Sequence, residues 1–140
     1  MRLSRARIAP LADEEFSPEQ KEVSAGWRTP EGGMLNIFRT LLRNPDGFKA
    51  FGRWGSYVLN RNSLTPRDRE LVILRTGWLC RSGYEWTQHH RIGLTCGISA
   101  AEIERIKLGA GAEGWSAAER ALLAAADDLV RYHFVSGPVW

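Results

Sequence analysis

The sequence predicts an all-α fold. Helix-start signals recur along the chain, apolar residues repeat at three- and four-residue spacing, and no segment alternates apolar and polar residues long enough between turn signals to make a strand. The first helix opens at Ser17-Pro18-Glu19-Gln20, with Ser17 placed to cap, Pro18 to preset the first helical φ and Gln20 to bond back to the cap. It ends before Thr29-Pro30-Glu31-Gly32-Gly33. LNIFRTLLR follows that Gly-rich turn. Asn44-Pro45 caps a further helix running to about Asn60, whose Phe48, Phe51, Trp54, Tyr57 and Val58 keep helical spacing.

Thr65-Pro66-Arg67-Asp68 starts a helix expected to reach Arg81. After a break at Arg81-Ser82-Gly83 another begins, closing at Gly97, a residue suited to a left-handed C-terminal cap. Ser99-Ala100-Ala101-Glu102 and Ser116-Ala117-Ala118-Glu119 are two more capping boxes. Six or more helices result, and no repeat, low-complexity tract or linker divides residues 1–140, which are expected to form a single domain.

Composition narrows the function classes. A chain of 140 residues with 44% hydrophobic and 25% charged content has enough apolar surface for one core. Its 19 Lys+Arg are interleaved with 16 Asp+Glu, so the net charge of +3 forms no basic run and no nucleic-acid partner is expected. Nothing approaches the ~20 apolar residues of a membrane helix, and the N-terminal MRLSRARIAPLADEEF carries charge where a signal peptide is apolar. A cytoplasmic protein with no membrane partner is expected. Two cysteines, Cys80 and Cys96, are too few for a disulfide framework or, unaided, a zinc site. Both are read as reduced thiols, and no metal is expected.

The stretch ELVILRTGWLCRSGYEWTQH, Glu70–His89, carries the chemistry-bearing residues. Its first half is apolar on nearly every side, which asks for neighbours all round, some of them from another subunit. Arg75 within it is either a structural ion pair or a carboxylate anchor. In the second half Ser82, Glu85 and His89 are spaced three and four apart and line one stripe of a helix. A carboxylate and an imidazole stacked so can exchange a proton or orient one another; an exposed structural pair is the alternative. His90, about 100° round the helix, is read as a surface or interface residue. Trp54, Trp78 and Trp86 are either core and subunit contacts or a wall for an aromatic-derived substrate. Gly32-Gly33 lacks the preceding strand and following lysine of a phosphate loop.

ELVILRTGWLCRSGYEWTQHHRIG resembles the central motif of the carboxymuconolactone decarboxylase family, relatives of the alkyl hydroperoxidase D proteins. GGMLNIFRTLLRNP and SLTPRDRELVILR extend the resemblance, from about Leu11 to Leu129. The family's peroxidase branch carries Glu, eleven residues, Cys, two residues, Cys, three residues, His. Here Glu70 and His89 match, but Ser82 and Glu85 stand where both redox cysteines belong. The other branch decarboxylates 4-carboxymuconolactone to the enol-lactone of 3-oxoadipate in aromatic catabolism, with no cofactor implied.

The resemblance therefore implies an alkyl hydroperoxidase D-like helical bundle and a cofactor-independent lyase or proton-transfer enzyme, acting on a small carboxylated lactone or related intermediate. Expected catalytic residues are Glu70, Ser82, Glu85 and His89, with His89 the acid, Glu85 its partner or proton reservoir and Glu70 the orienter. Arg75 and Trp86 are the expected substrate-binding residues. Glu70 has to reach His89 through a chain reversal near Arg81–Gly83, which glycine at 83 would ease. A homo-oligomer, trimer or hexamer, is implied, as are further C-terminal helices that this sequence stops short of at Gly137-Pro138-Val139-Trp140. The alternatives are a thiol peroxidase using Cys80 or Cys96 and a non-catalytic oligomeric relative.

Overall fold

The computed structural model describes residues 4–140, and among them are seven α-helices and no strand. The helices are α1 (Pro18–Ser24), α2 (Asn36–Leu41), α3 (Pro45–Asn60), α4 (Pro66–Leu79), α5 (Gly83–Thr95), α6 (Ala100–Ile106) and α7 (Ala117–Tyr132). Short 3-10 turns at Asp13–Glu15 and Ala25–Trp27 flank α1. Contacts gather into two compact units, one ending at Asn62 and the other spanning Ser63–Trp140.

Local chemistry sets where each helix begins. Ser17, Ser99 and Ser116 each accept the N–H three residues on, while Gln20, Glu102 and Glu119 return a side chain to the cap. Asn44 and Thr65 cap α3 and α4 ahead of Pro45 and Pro66. Each such cap is worth ~1 kcal/mol, enough to decide the start of a seven-residue helix such as α1 or α6.

In the first unit, Leu11, Phe16, Met34, Leu42 and Phe48 form the core, with Trp27 and Phe38 packed against it. Arg39 steadies the chain before α1 by donating to the Leu11 carbonyl and pairing with Asp13. The spacing predicted one apolar face for α3, but only Phe48 of its large residues is buried; Phe51, Trp54, Tyr57 and Val58 are exposed.

The second unit is built on α4, which packs against α5, α6 and α7. Leu71, Leu74, Ile98, Ile103, Ile106, Trp115 and Leu123 fill its core. α4 stops at Leu79, short of Arg81, in a paired-bond termination: Arg81 N–H donates to the Trp78 carbonyl at 3.0 Å and Ser82 N–H to the Gly77 carbonyl at 2.9 Å. The left-handed residue is Arg81, with φ 54°, not Gly83. The two bonds offset the roughly 1 kcal/mol that a Cβ costs in that conformation. α5 ends the same way at Gly97, φ 83°, with Ile98 N–H on the Gly93 carbonyl at 3.0 Å. α5 is thereby folded back antiparallel on α4. At Gly77 a side chain would begin 3.5 Å from the Glu85 Cβ, and at Gly93 one would begin 3.2 Å from Leu74.

Candidate active site

Antiparallel packing brings Glu70, on the first turns of α4, to His89, midway along α5. Glu70 is 1% exposed, and its Oε2 lies 2.7 Å from His89 Nδ1. Its other oxygen accepts Arg69 Nε at 2.9 Å. Burial alone would raise the Glu70 carboxyl, but the bonds from His89 and Arg69 outweigh it and hold the group below the ordinary carboxylate range. An ionised carboxylate only accepts, so the Nδ1 of His89 carries a proton and donates it. The ring is then fixed in orientation, and Nε2 faces away from Glu70.

Nε2 faces Glu85, whose Oε2 is 3.4 Å distant one turn earlier on α5. With the Nδ1–H tautomer, a bond across this gap needs one more proton, either on Nε2 or on Glu85. An imidazole and a carboxylate at this separation can share a proton. Glu85 is half-exposed and lines a cavity of about 340 Å³ together with Val72, Ile73, Thr76, Cys80 and Ser82. Ser82 starts α5 without using its hydroxyl as a cap. Nearly all of the cavity wall is apolar, and neither Glu70 nor His89 belongs to it. The His89 side chain is 12% exposed.

Of the expected site residues, Glu70, Glu85 and His89 form one connected chain, and Ser82 shares the cavity with Glu85. Arg75 does not join them. It makes a bidentate pair with Asp127, Nε–Oδ1 2.5 Å and Nη2–Oδ2 3.1 Å, and its Nη1 donates to the Ile106 and Lys107 carbonyls at 2.9 Å each. These bonds tie α4 to α7 and satisfy the end of α6. A guanidinium so engaged is a structural ion pair rather than a substrate anchor. Trp86 is not on the cavity wall either; its ring packs on Trp78, centroids 5.4 Å apart, with Lys107 Nζ 5.3 Å from its centre.

Sequence reading missed Arg69, which lies beside Glu70 and has no periodic signal marking it. Its Nη2 also reaches Cys96 Sγ at 3.9 Å. Cys80 and Cys96 are both free; Cys80 is exposed and Cys96 half-buried. Arg67 was missed as well. It binds Glu102 at 2.5 Å, Glu119 at 2.8 Å and the Gly97 carbonyl at 2.6 Å, joining α4 to the capping residues of α6 and α7. Among the described residues, no helix is long and apolar enough to cross a membrane.

No curated protein and no solved structure matches the chain. A family model does match, over residues 45–128, which is more than half of the sequence and includes every residue of the Glu70–His89–Glu85 chain. Residues 11–44, which the sequence resemblance also took in, lie outside that match. The chain belongs to the carboxymuconolactone decarboxylase family.

Proposed function

We propose that this family member is a proton-transfer enzyme, most concretely a lyase that decarboxylates a small carboxylated lactone or a related intermediate of aromatic catabolism. The observation that carries this reading is the continuous path from buried Glu70 through His89 to Glu85 at the cavity wall. Glu70 orients the imidazole, His89 supplies a proton through Nε2, and Glu85 is the group that meets the substrate. Loss of carbon dioxide leaves an electron pair that spreads onto the lactone carbonyl, and the product forms when a proton returns to carbon. The apolar wall of Val72 and Ile73 favours a substrate carboxylate that is shedding its charge over one that keeps it.

The thiol-peroxidase reading draws on Cys80, which shares the cavity with Glu85. A dithiol cycle within one chain is opposed by position. Cys80 lies just before α5 and Cys96 just after it, and the thirteen residues of α5 itself put ~20 Å between the helix ends. A disulfide needs Cα atoms within about 7 Å.

Exposed Trp54, Trp78, Ile92 and Leu94 support a homo-oligomer, the trimer or hexamer that the resemblance implied. Light scattering at micromolar concentration tests this, and a stable folded monomer contradicts it. The activity is tested by following carbon dioxide release from 4-carboxymuconolactone and a panel of small carboxylated lactones. Release by the wild type and its loss in Glu85→Gln supports the lyase. Release from none of them, together with dithiol-dependent peroxide consumption lost in Cys80→Ser, overturns it.

A further inference from the structure

We propose that a groove in the unit ending at Asn62 binds a small planar organic anion, of the class of aromatic carboxylates. The groove has a volume of about 380 Å³ and shares no residue with the cavity at Glu85. That volume is in the range of small-molecule sites, ~300–1,000 Å³. Its walls are of two kinds: Val23, Trp27 and Phe48 on one hand, and the cations Lys49, Arg53 and Arg61 on the other, with no acidic side chain lining it.

Charge balance singles out the two arginines. Lys49 is compensated by Glu19 at 3.3 Å and Asp46 at 3.2 Å. Among the described residues, neither Arg53 nor Arg61 has a side-chain hydrogen bond or ion pair. Lys49 and Arg53 are also four apart on α3, so like charges sit on adjacent turns and repel. An anion in the groove relieves that repulsion and gives both guanidiniums a partner of the planar, two-oxygen kind they bind best.

The aromatic side of the groove is fixed. A side chain at Gly52 would place its Cβ 2.7 Å from the Trp27 ring, so only glycine lets the indole lie against α3. Phe38 and Phe48, with centroids 4.7 and 5.4 Å from that of Trp27, hold it there. A rigid ring beside unpaired guanidiniums selects a ligand with a flat apolar body and an anionic end.

The test is calorimetric titration of the full chain with 2-naphthoate and, as the neutral control, 2-naphthylmethanol. Naphthoate is expected to bind at least roughly tenfold more tightly than the alcohol, and Arg53→Gln and Arg61→Gln are each expected to weaken it by roughly tenfold, the worth of one charge-assisted hydrogen bond. Both residues are exposed, so the variants are expected to fold, which circular dichroism checks. Equal binding of acid and alcohol, no binding, or affinity unchanged in both arginine variants overturns the proposal. So does affinity lost in Glu85→Gln, which places the probe in the other cavity.

Discussion

Glu70 accepts the Nδ1–H of His89 at 2.7 Å from a position almost sealed from water. The carboxylate fixes which imidazole nitrogen faces Glu85, so in the proposed reaction its influence is expected to be through orientation. Glu70→Gln keeps the shape but removes the charge that holds the Nδ1–H tautomer. Turnover is expected to fall at least about tenfold with a smaller change in KM. Glu70→Ala also removes the buried carboxylate that Arg69 Nε and His89 Nδ1 donate to, and is expected to cost roughly 3 kcal/mol of stability by urea denaturation. Unchanged kcat in Glu70→Gln contradicts the orienting role.

The Arg75–Asp127 pair predicts the opposite pattern. Removing either partner leaves the other charge in a largely buried setting, so Arg75→Met and Asp127→Leu are each expected to destabilise the fold by about 3–5 kcal/mol. The double variant is expected to recover part of that loss, because no orphaned charge remains. Were Arg75 a substrate anchor, Arg75→Met would raise KM and leave the denaturation midpoint in place.

Acid stability follows from Glu102 and Glu70. The Arg67 guanidinium holds the Glu102 carboxyl down to about 2, against an ordinary 4.5, and Glu70 is lowered in the same direction. A carboxyl whose folded value is depressed contributes stability that is fully present above its unfolded value. That contribution is lost as pH falls from about 4.5 through about 2. Urea denaturation between pH 7 and pH 2 is expected to show this decline in the wild type and a shallower one in Glu102→Gln. Equal slopes contradict the Arg67–Glu102 linkage.

The separation of Cys80 and Cys96 predicts that diamide oxidation yields no intrachain disulfide, as read by the intact mass of the monomer under denaturing conditions. Cys80 is exposed, so a mixed disulfide with added glutathione is expected at that position first. An intrachain Cys80–Cys96 bond formed in the folded protein contradicts the antiparallel placement of α4 and α5.

Helix starts were legible because a cap is a local event: Ser17, Ser99 and Ser116 bond within three residues of themselves. The meeting of Glu70 and His89 was legible through family spacing and a reversal near Arg81–Gly83. The reversal's chemistry was not. Arg81 adopts the left-handed conformation because backbone bonds to Gly77 and Trp78 hold it there, and a glycine two residues later misdirected the reading. Arg67, Arg69 and Asp127 were missed for a related reason. A charged residue on a helix gives no sign of its partner when that partner, like Asp127 for Arg75, is 52 residues away. The alternatives for Arg75, ion pair or anchor, are separated only by the geometry of α4 against α7.

Proton delivery through His89 is tested most directly by turnover of a carboxylated lactone in D₂O, with deuterium in the product followed by proton NMR for the wild type and His89→Gln. The wild type is expected to place one deuterium on the product carbon at a rate at least about 100-fold above His89→Gln. Equal rates of product formation in the two proteins contradict the account.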